Sequence, residues 1–231
     1  MKLVEVLEKF CNVDGVTGRE DQVRDLLEDC LKPYVDEINE DKLGNLIGFK
    51  KGKPDAPTVM IAAHMDEVGL MVKNIKKKGF LQFTKIGGID DPVLFAQKVL
   101  VHTEKGPLVG VVGAKPIHIQ KDDERKKVID ADHLFIDIGA KDKKEAEQMG
   151  VQVGDVVSFD VQFSKLKDNI VLGKAFDDRV GCAILVEVMK QLQVCDCNVY
   201  VVGTIQEEVG LRGATIAAFS IQPDLGLAVD V

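Results

Sequence analysis

Four residues that could bind a metal or move a proton come just after two apolar stretches of this sequence. His64 and Asp66 follow one stretch, and Glu207 and Glu208 follow the other. In an extended backbone His64 and Asp66 project to the same face, so the carboxylate can accept one imidazole N–H and leave the other nitrogen free for a metal. A purely structural His–Asp pair is the alternative. Two adjacent carboxylates at the end of a buried strand require a cation, hydrogen bonds or a chemical role.

Further acidic residues occupy similar positions. Asp177 and Asp178 separate a predicted strand from a helix, where capping and the helix dipole explain one of them and Arg179 can neutralise the other. Ligands of open α/β sheets bind at the carboxyl ends of parallel strands. Five candidates lie at or near such ends: His64, Asp177, Glu207, Glu208 and Asp230. Carboxylates with an imidazole and no thiolate suit a hydrolytic zinc, cobalt or manganese site, and a bridging carboxylate allows two ions.

The elements that must position these residues alternate between helices and strands near both ends of the chain. A helix is predicted over residues 2–12, and a capping box of Thr17 and Glu20 is predicted to open a second helix. The later helices and strands are predicted over Thr58–Ala63, Arg179–Leu192, Asn198–Thr204, Leu211–Ser220 and Leu225–Val231. This alternation predicts an α/β fold with a mostly parallel, three-layer sheet, in which the last strand is buried.

The middle of the chain has a different pattern of residues. Strand-like segments alternate with Lys, Gly, Pro and Asp turns from residue 70 to about 164, with one helical segment around Lys143–Met149. This pattern is typical of a small β-barrel or β-sandwich. We therefore expect a catalytic α/β domain over residues 1–69 and 165–231, interrupted by an inserted β domain over 70–164.

Composition excludes several classes of partner. The net charge of −8 argues against nucleic acid and anionic membranes, and no apolar run reaches the ~20 residues of a membrane span. The five cysteines include no CxxC pair and no secretion signal precedes them, so we expect reduced thiols in a cytoplasmic protein. Cys195-Asp196-Cys197 could hold a metal, but small core or turn residues are the favoured interpretation.

The ordered set of motifs resembles the TET-type dinuclear metallo-aminopeptidases, which include the glutamyl and deblocking aminopeptidases and share the zinc-peptidase fold of the MH clan. The motifs are His64-x-Asp66, Phe176-Asp177-Asp178-Arg179, Gln206-Glu207-Glu208-Val209-Gly210 and Val229-Asp230. The resemblance covers the whole chain in order. It implies a three-layer α/β/α catalytic domain with a PDZ-like β-barrel insert, and the removal of N-terminal residues from short peptides.

The resemblance also implies a role for each residue. His64 and Asp230 would bind one metal, Asp177 would bridge two metals, and Glu208 would bind the second. Glu207 would be the general base and Asp66 would orient His64. The two ions would be zinc or cobalt, with manganese as a further candidate. The insert would be a dimerisation domain, through which dimers of this homo-oligomer build a dodecamer.

Relatives of this kind continue well past the Val229-Asp230 strand, and that stretch supplies a final His ligand to the second metal. On this comparison the catalytic domain is incomplete, and the second metal keeps only Asp177 and Glu208. We therefore expect a weak second site and little or no peptidase activity. Two alternatives stay open. One is a non-catalytic assembly subunit or fragment of a full-length aminopeptidase, and the other is a metal-dependent amidohydrolase or glycosidase.

Overall fold

A computed structural model describes residues 2–119 and 128–231, so residues 120–127 of the predicted insert lie outside the described part of the chain. The chain has a mixed α/β fold and forms two compact units. One contains Met1–Glu67 and Gln162–Val231, and the other contains Val68–Val161. Within the described residues, no helix combines the length and the apolar character needed to cross a membrane.

The helices and strands are numbered here in chain order. They are α1 (Leu3–Asn12), α2 (Asp21–Leu31), β1 (Glu37–Glu40), β2 (Leu46–Lys50), β3 (Thr58–His64), β4 (Gly69–Ile75), β5 (Leu81–Ile86), β6 (Lys98–Thr103), β7 (Gly106–Gly113), β8 (Phe135–Asp137), α3 (Lys143–Met149), β9 (Val156–Phe159), β10 (Ser164–Lys165), β11 (Val171–Leu172), α4 (Phe176–Gln191), β12 (Asn198–Thr204), α5 (Arg212–Ile221) and β13 (Leu225–Ala228).

The first unit is built on a five-stranded sheet in the order β1-β2-β12-β3-β13. Strand β3 pairs in parallel with β12 and β13, whereas β2 runs antiparallel to β1 and β12. Side chains alternate between the faces of β12: Val199 and Val201 pack toward α1, α2 and α4, whereas Tyr200 and Val202 pack toward α5. The sheet therefore lies between two helical layers.

The register of the parallel strands brings the candidate residues to one edge of the sheet. Thr204 at the end of β12 is paired with His64 at the end of β3, and Ala228 of β13 is paired with Ala62. Residues that follow these three strands therefore emerge at the same carboxyl edge. This is where ligands of α/β sheets bind.

The second unit is a closed barrel of strands in the order β4-β5-β8-β7-β6-β9. Its interior is fully or almost fully buried and apolar, and includes Leu70, Phe83, Val99, Ile136 and Val157. Helix α3 adds Ala146 to this core, and Asp142 caps the helix by accepting a hydrogen bond from the amide of Glu145 (2.8 Å). Of the two architectures predicted for this segment, a barrel and a sandwich, the structure therefore shows the barrel.

Three predictions about elements are wrong in detail. Thr17 and Glu20 do not form a capping box, because the Thr17 hydroxyl donates to Asp66 and the Glu20 side chain accepts the N–H groups of Gly18 and Gln206. The strand predicted over residues 156–163 ends at Phe159. Strand β13 is exposed at all four positions rather than buried, because it is an edge strand that pairs only with β3 among the described strands.

Candidate metal centre

His64 is the buried anchor of the candidate site. The residue is 3% exposed and ends strand β3. Its Nδ1 lies 3.1 Å from the carbonyl oxygen of Asp66 and 3.4 Å from the Oδ1 of the same residue. These two oxygens favour the tautomer with the proton on Nδ1, and this leaves the lone pair of Nε2 directed away from Asp66.

Two carboxylate side chains lie near the Nε2 atom of His64. The Oδ1 of Asp177 is 2.8 Å away and the Oδ1 of Asp230 is 3.9 Å away. One ligand atom from each of the three side chains lies within 4.8 Å of the others, and within the described residues this is the one such group of His, Cys, Asp or Glu side chains. One imidazole nitrogen and two carboxylate oxygens fit a divalent zinc, cobalt or manganese ion.

Asp66 connects His64 to the loop that follows β12. Its side chain is fully buried, and its two oxygens accept the backbone N–H of Glu207 (3.0 Å), the backbone N–H of Glu208 (3.2 Å) and the hydroxyl of Thr17 (2.8 Å). Burial acts to raise the pKa of Asp66, but the hydrogen bonds from His64, Glu207 and Thr17 lower it. The ionised carboxylate therefore holds both the imidazole and the loop.

The loop with Glu207 and Glu208 is fixed at its base as well. Asn45 is fully buried; its Oδ1 accepts the N–H of Ile205 (3.1 Å) and its Nδ2 donates to the carbonyl of Gly213 (3.0 Å). Glu20 accepts the N–H of Gln206 at 3.2 Å. Gln206 has a positive φ of 54°, a backbone conformation that most residues avoid. The loop is thus held in one unusual shape from several sides.

The segment that carries Asp177 is fixed by its neighbour. Asp178 is fully buried, and its oxygens accept the N–H of Gly181 (2.9 Å) and the N–H of His64 (3.1 Å). Asp178 therefore caps the regular part of α4 and ties it to the end of β3, whereas Asp177 is exposed beside His64. Burial is the main cause that raises the pKa of Asp178, to about 7.

Arg179 does not neutralise either of these acids, so that prediction is wrong. The guanidinium is fully buried and donates to Glu67 (3.2 Å) and to the carbonyl of Phe10 (2.7 Å). Lys174 also binds Glu67, at 2.6 Å. The pairing follows from position: Glu67 comes just after Asp66 on the strand end, and Lys174 and Arg179 flank Asp177. This buried group links the two segments that carry the candidate ligands.

The crowding of carboxylates changes the acidity of the site. Burial lowers the pKa of His64, but Asp66 and Asp177 outweigh burial and raise it to about 9. Burial, followed by the charge of Asp177, raises the pKa of Glu208 to about 7. Burial and nearby carboxylates also raise the pKa of Glu207. A bound cation relieves the repulsion between carboxylates that contributes to the raised pKa values of Glu207 and Glu208.

The structure thus brings His64, Asp177 and Asp230 together, and it places Asp66 behind them. Glu208 is not a member of this group, but it lies close enough for the charge of Asp177 to raise its pKa, and Glu207 precedes it on the loop. Sequence reasoning missed Asn45, Glu67 and Lys174 as supporting residues. Each acts across a long separation in sequence, so no local spacing could identify it.

Comparisons with known proteins identify the family of this chain. The sequence profile described as "M42 glutamyl aminopeptidase" matches residues 44–231. The lysyl aminopeptidase of Pyrococcus furiosus is 42% identical, with 98% of this chain and 66% of that protein covered. The chain therefore spans just under two thirds of that relative's length.

Solved structures give the same result. The TET aminopeptidase of Thaumarchaeota archaeon SCGC AB-539-E09 is 40% identical with a TM-score of 0.96, over 100% of this chain and 66% of that one. The TET1 peptidase of Pyrococcus horikoshii, described as assembling into a tetrahedron or a large octahedral shell, is 37% identical with a TM-score of 0.90, over 99% and 68%. From its motifs, its fold and these similarities, the chain belongs to the M42 glutamyl aminopeptidase family.

Proposed function

We propose that this chain is a metal-dependent aminopeptidase in which His64, Asp177 and Asp230 bind one divalent ion. The observation that carries the proposal is the convergence of Nε2 of His64 with the two carboxylates at the carboxyl edge of the sheet. Glu208 is proposed as a ligand to a second ion that Asp177 bridges. The raised pKa of Glu208, caused by burial and by Asp177, is the kind of shift that a bound cation would reverse.

The proposed chemistry is hydrolysis of the first peptide bond of a peptide. A divalent ion at these ligands would supply Lewis acidity, which lowers the pKa of water and polarises a carbonyl group. Glu207 accepts the proton of the attacking water and delivers it to the departing amine. Burial and neighbouring acids raise the pKa of Glu207, so its carboxylate is a stronger base than an exposed glutamate.

Asp66 has a positioning role in this scheme. It holds the imidazole of His64 on one side and the amides of Glu207 and Glu208 on the other. A metal ligand and the general base are therefore aligned by one buried carboxylate. The surrounding acids also favour the positively charged N-terminus of a peptide over a neutral or anionic group.

The proposal extends to assembly through the barrel. The TET1 peptidase of Pyrococcus horikoshii, which has a similar structure, is described as able to assemble into a tetrahedron or a large octahedral shell. We extend this property to the present chain, with the PDZ-like β-barrel of residues 68–161 as the dimerisation unit and a dodecamer as the final particle. Mass measurement of the protein in solution by light scattering tests this part independently of activity.

The activity is tested on an aminoacyl p-nitroanilide and on the same compound with an acetylated amine. Hydrolysis of the free-amine substrate is expected to be slow, to stop after chelation and to return only with excess Zn²⁺ or Co²⁺, because the second site is predicted to be weak. The acetylated substrate is expected to resist. Cleavage of both substrates would indicate an amidohydrolase, and a metal-loaded protein that cleaves neither would favour the assembly subunit.

A further inference from the structure

A pair of cysteines lies in the turn between α4 and β12, away from the candidate metal centre. The Sγ atoms of Cys195 and Cys197 are 3.3 Å apart, and a single residue, Asp196, separates them in sequence. Strand β12 separates this turn from the loop of Glu207. At about 3.3 Å per residue, its seven residues correspond to roughly 20 Å.

We propose that Cys195 and Cys197 form a dithiol site that a low-molecular-weight disulfide oxidises to an intramolecular disulfide. A disulfide bond is about 2.05 Å long, so the sulphurs need to approach each other by only about 1.2 Å from their 3.3 Å separation. Rotation of two short side chains can supply such a movement. The proposal is independent of the peptidase function.

The surrounding structure holds both cysteines in place. Cys195 is 9% exposed and belongs to the main core of its unit, against which Cys197 is partly packed. On the other side, a Cβ on Gly52 would clash with the carbonyl group of Cys197, so the backbones are in close contact. Gly52 also donates its N–H to the side chain of Asn198, at 3.0 Å. The two sulphurs are thus held near each other by the fold itself.

The turn that carries this pair is also more accessible to a reagent in solution than the thiols in the core of the unit. Val194, beside the pair, is 83% exposed, and Cys197 is half-buried. In contrast, Cys11 and Cys182 are fully buried in the core. Among the described residues, Cys195 and Cys197 are the one pair of thiols whose sulphurs lie within hydrogen-bond distance of each other.

The reaction proceeds by thiol–disulfide exchange. The thiolate of Cys197, the more exposed residue, attacks one sulphur of the oxidant and releases one thiol. Cys195 then displaces the second thiol and forms the bond to Cys197. The two cysteines lose two electrons and two protons, and the oxidant gains them as two free thiols. The hydrogen bond with Cys195 raises the pKa of Cys197, so the first step is expected to accelerate as the pH rises.

The test uses oxidised glutathione on the purified, fully reduced protein, followed by acid quenching, alkylation, trypsin and mass spectrometry. Cleavage after Lys190 and Arg212 gives one peptide that contains this pair and no other cysteine, and the peptide of residues 25–42 contains Cys30 alone. We expect the first peptide to lose both alkylation sites together, without bound glutathione. The Cys30 peptide is expected to carry alkyl groups or glutathione, since Cys30 is a free thiol that contacts no other sulphur among the described residues.

Two single variants complete the test. Cys195→Ser and Cys197→Ser each leave one thiol, so the same peptide is expected to retain a glutathione adduct or an alkyl group. The proposal would be overturned if wild-type protein carries glutathione on Cys195 or Cys197 without closing the ring. It would also be overturned if both residues stay alkylated at an oxidant concentration that modifies Cys30. Because the wild-type result alone decides the question, poor folding of a variant would not obscure it.

Discussion

Asp66 has the largest set of functional contacts of any single side chain at the candidate centre. Its carboxylate lies beside Nδ1 of His64 and accepts hydrogen bonds from Thr17 and from the amides of Glu207 and Glu208. Such a group fixes the orientation of a metal ligand without touching the metal. Loss of its charge therefore affects the site although the ligands themselves are intact.

The first prediction concerns Asp66→Asn. The amide NH₂ that replaces one oxygen would face the backbone N–H of Glu207 or of Glu208, so the loop would lose one of its two acceptors and the imidazole would lose its charged neighbour. The affinity for Zn²⁺ or Co²⁺ is expected to fall on the order of 10–100-fold, as measured by competition with a chromophoric chelator. The control Asp132→Asn alters an exposed acid of the barrel and is expected to leave the affinity unchanged. Equal affinities for both variants would contradict the role of Asp66.

Glu207 and Glu208 provide a second prediction, because the proposal gives neighbouring acids different roles. Glu207→Gln is expected to retain the metal affinity and to lose turnover by on the order of 10²–10⁴-fold. Glu208→Gln is expected to weaken binding of the second ion. Metal titration and turnover are measured on both variants. The assignment of different roles to Glu207 and Glu208 is wrong if both variants lose metal affinity, or if both lose only turnover.

Thiol acidity provides a third prediction. Burial is the main cause that raises the pKa of Cys11 to about 11 and that of Cys182 to about 12. The thiolate is the reactive form, so at pH 8 both residues remain protonated and inert, and their reactivity increases only as the pH approaches these values. Iodoacetamide labelling of the native protein at pH 8 should leave both unmodified, and labelling in urea should modify both. Rapid native labelling of either one would contradict their burial.

At the scale of elements, the candidate centre depends on how strand ends and loops are joined. Glu67 is 3% exposed and binds both Arg179 and Lys174, so the end of β3 is tied to the segment before α4. Removing one member of a buried ion group leaves an uncompensated charge. The network is therefore expected to contribute to stability as well as to the position of Asp177.

This network gives a fourth prediction. Glu67→Gln is expected to reduce the free energy of unfolding by about 3–5 kcal/mol, because the fully buried guanidinium of Arg179 loses its carboxylate partner, whereas Lys174 keeps Asp14. Urea unfolding followed by circular dichroism measures the change. The matched control is Glu187→Gln, which removes a partly exposed partner of Lys190 on the surface of α4 and is expected to have little effect. A Glu67→Gln protein as stable as the control would exclude the network as a stabilising group.

The elements differ in how far the sequence predicts them. Strand β12 and helix α3 have the predicted bounds, because an uninterrupted apolar run and a short segment between an Asp cap and Gly150 are local signals. The placement of His64 and Asp230 at one edge could be anticipated from strand alternation. The placement of Asp177 could not, because strand β11 before it pairs with β10 and lies outside the five-stranded sheet. The partners of Thr17 and Glu20 could not, since a capping box has the same spacing whether or not a distant loop competes for its side chains.

At the scale of the molecule, each unit has its own core and its own proposed task. The sheet unit carries the candidate ligands, and the closed barrel, which has no free sheet edge, carries none of them. The profile match over residues 44–231 includes parts of both units, so the family relationship applies to the combination. We accordingly expect deletion of the barrel to change the assembly of the protein and to leave the same residues as the metal ligands.

The most direct test of the central claim is calorimetric titration of the chelator-treated protein with Zn²⁺, in wild type and in His64→Ala, Asp177→Asn and Asp230→Asn variants. Wild type is expected to bind at least one ion tightly per chain, and each of the three variants is expected to lose this ion. His102→Ala, which changes a histidine of the barrel, is the control and should bind as wild type does. Tight binding that survives in the His64→Ala protein would contradict the assignment of His64 as a metal ligand.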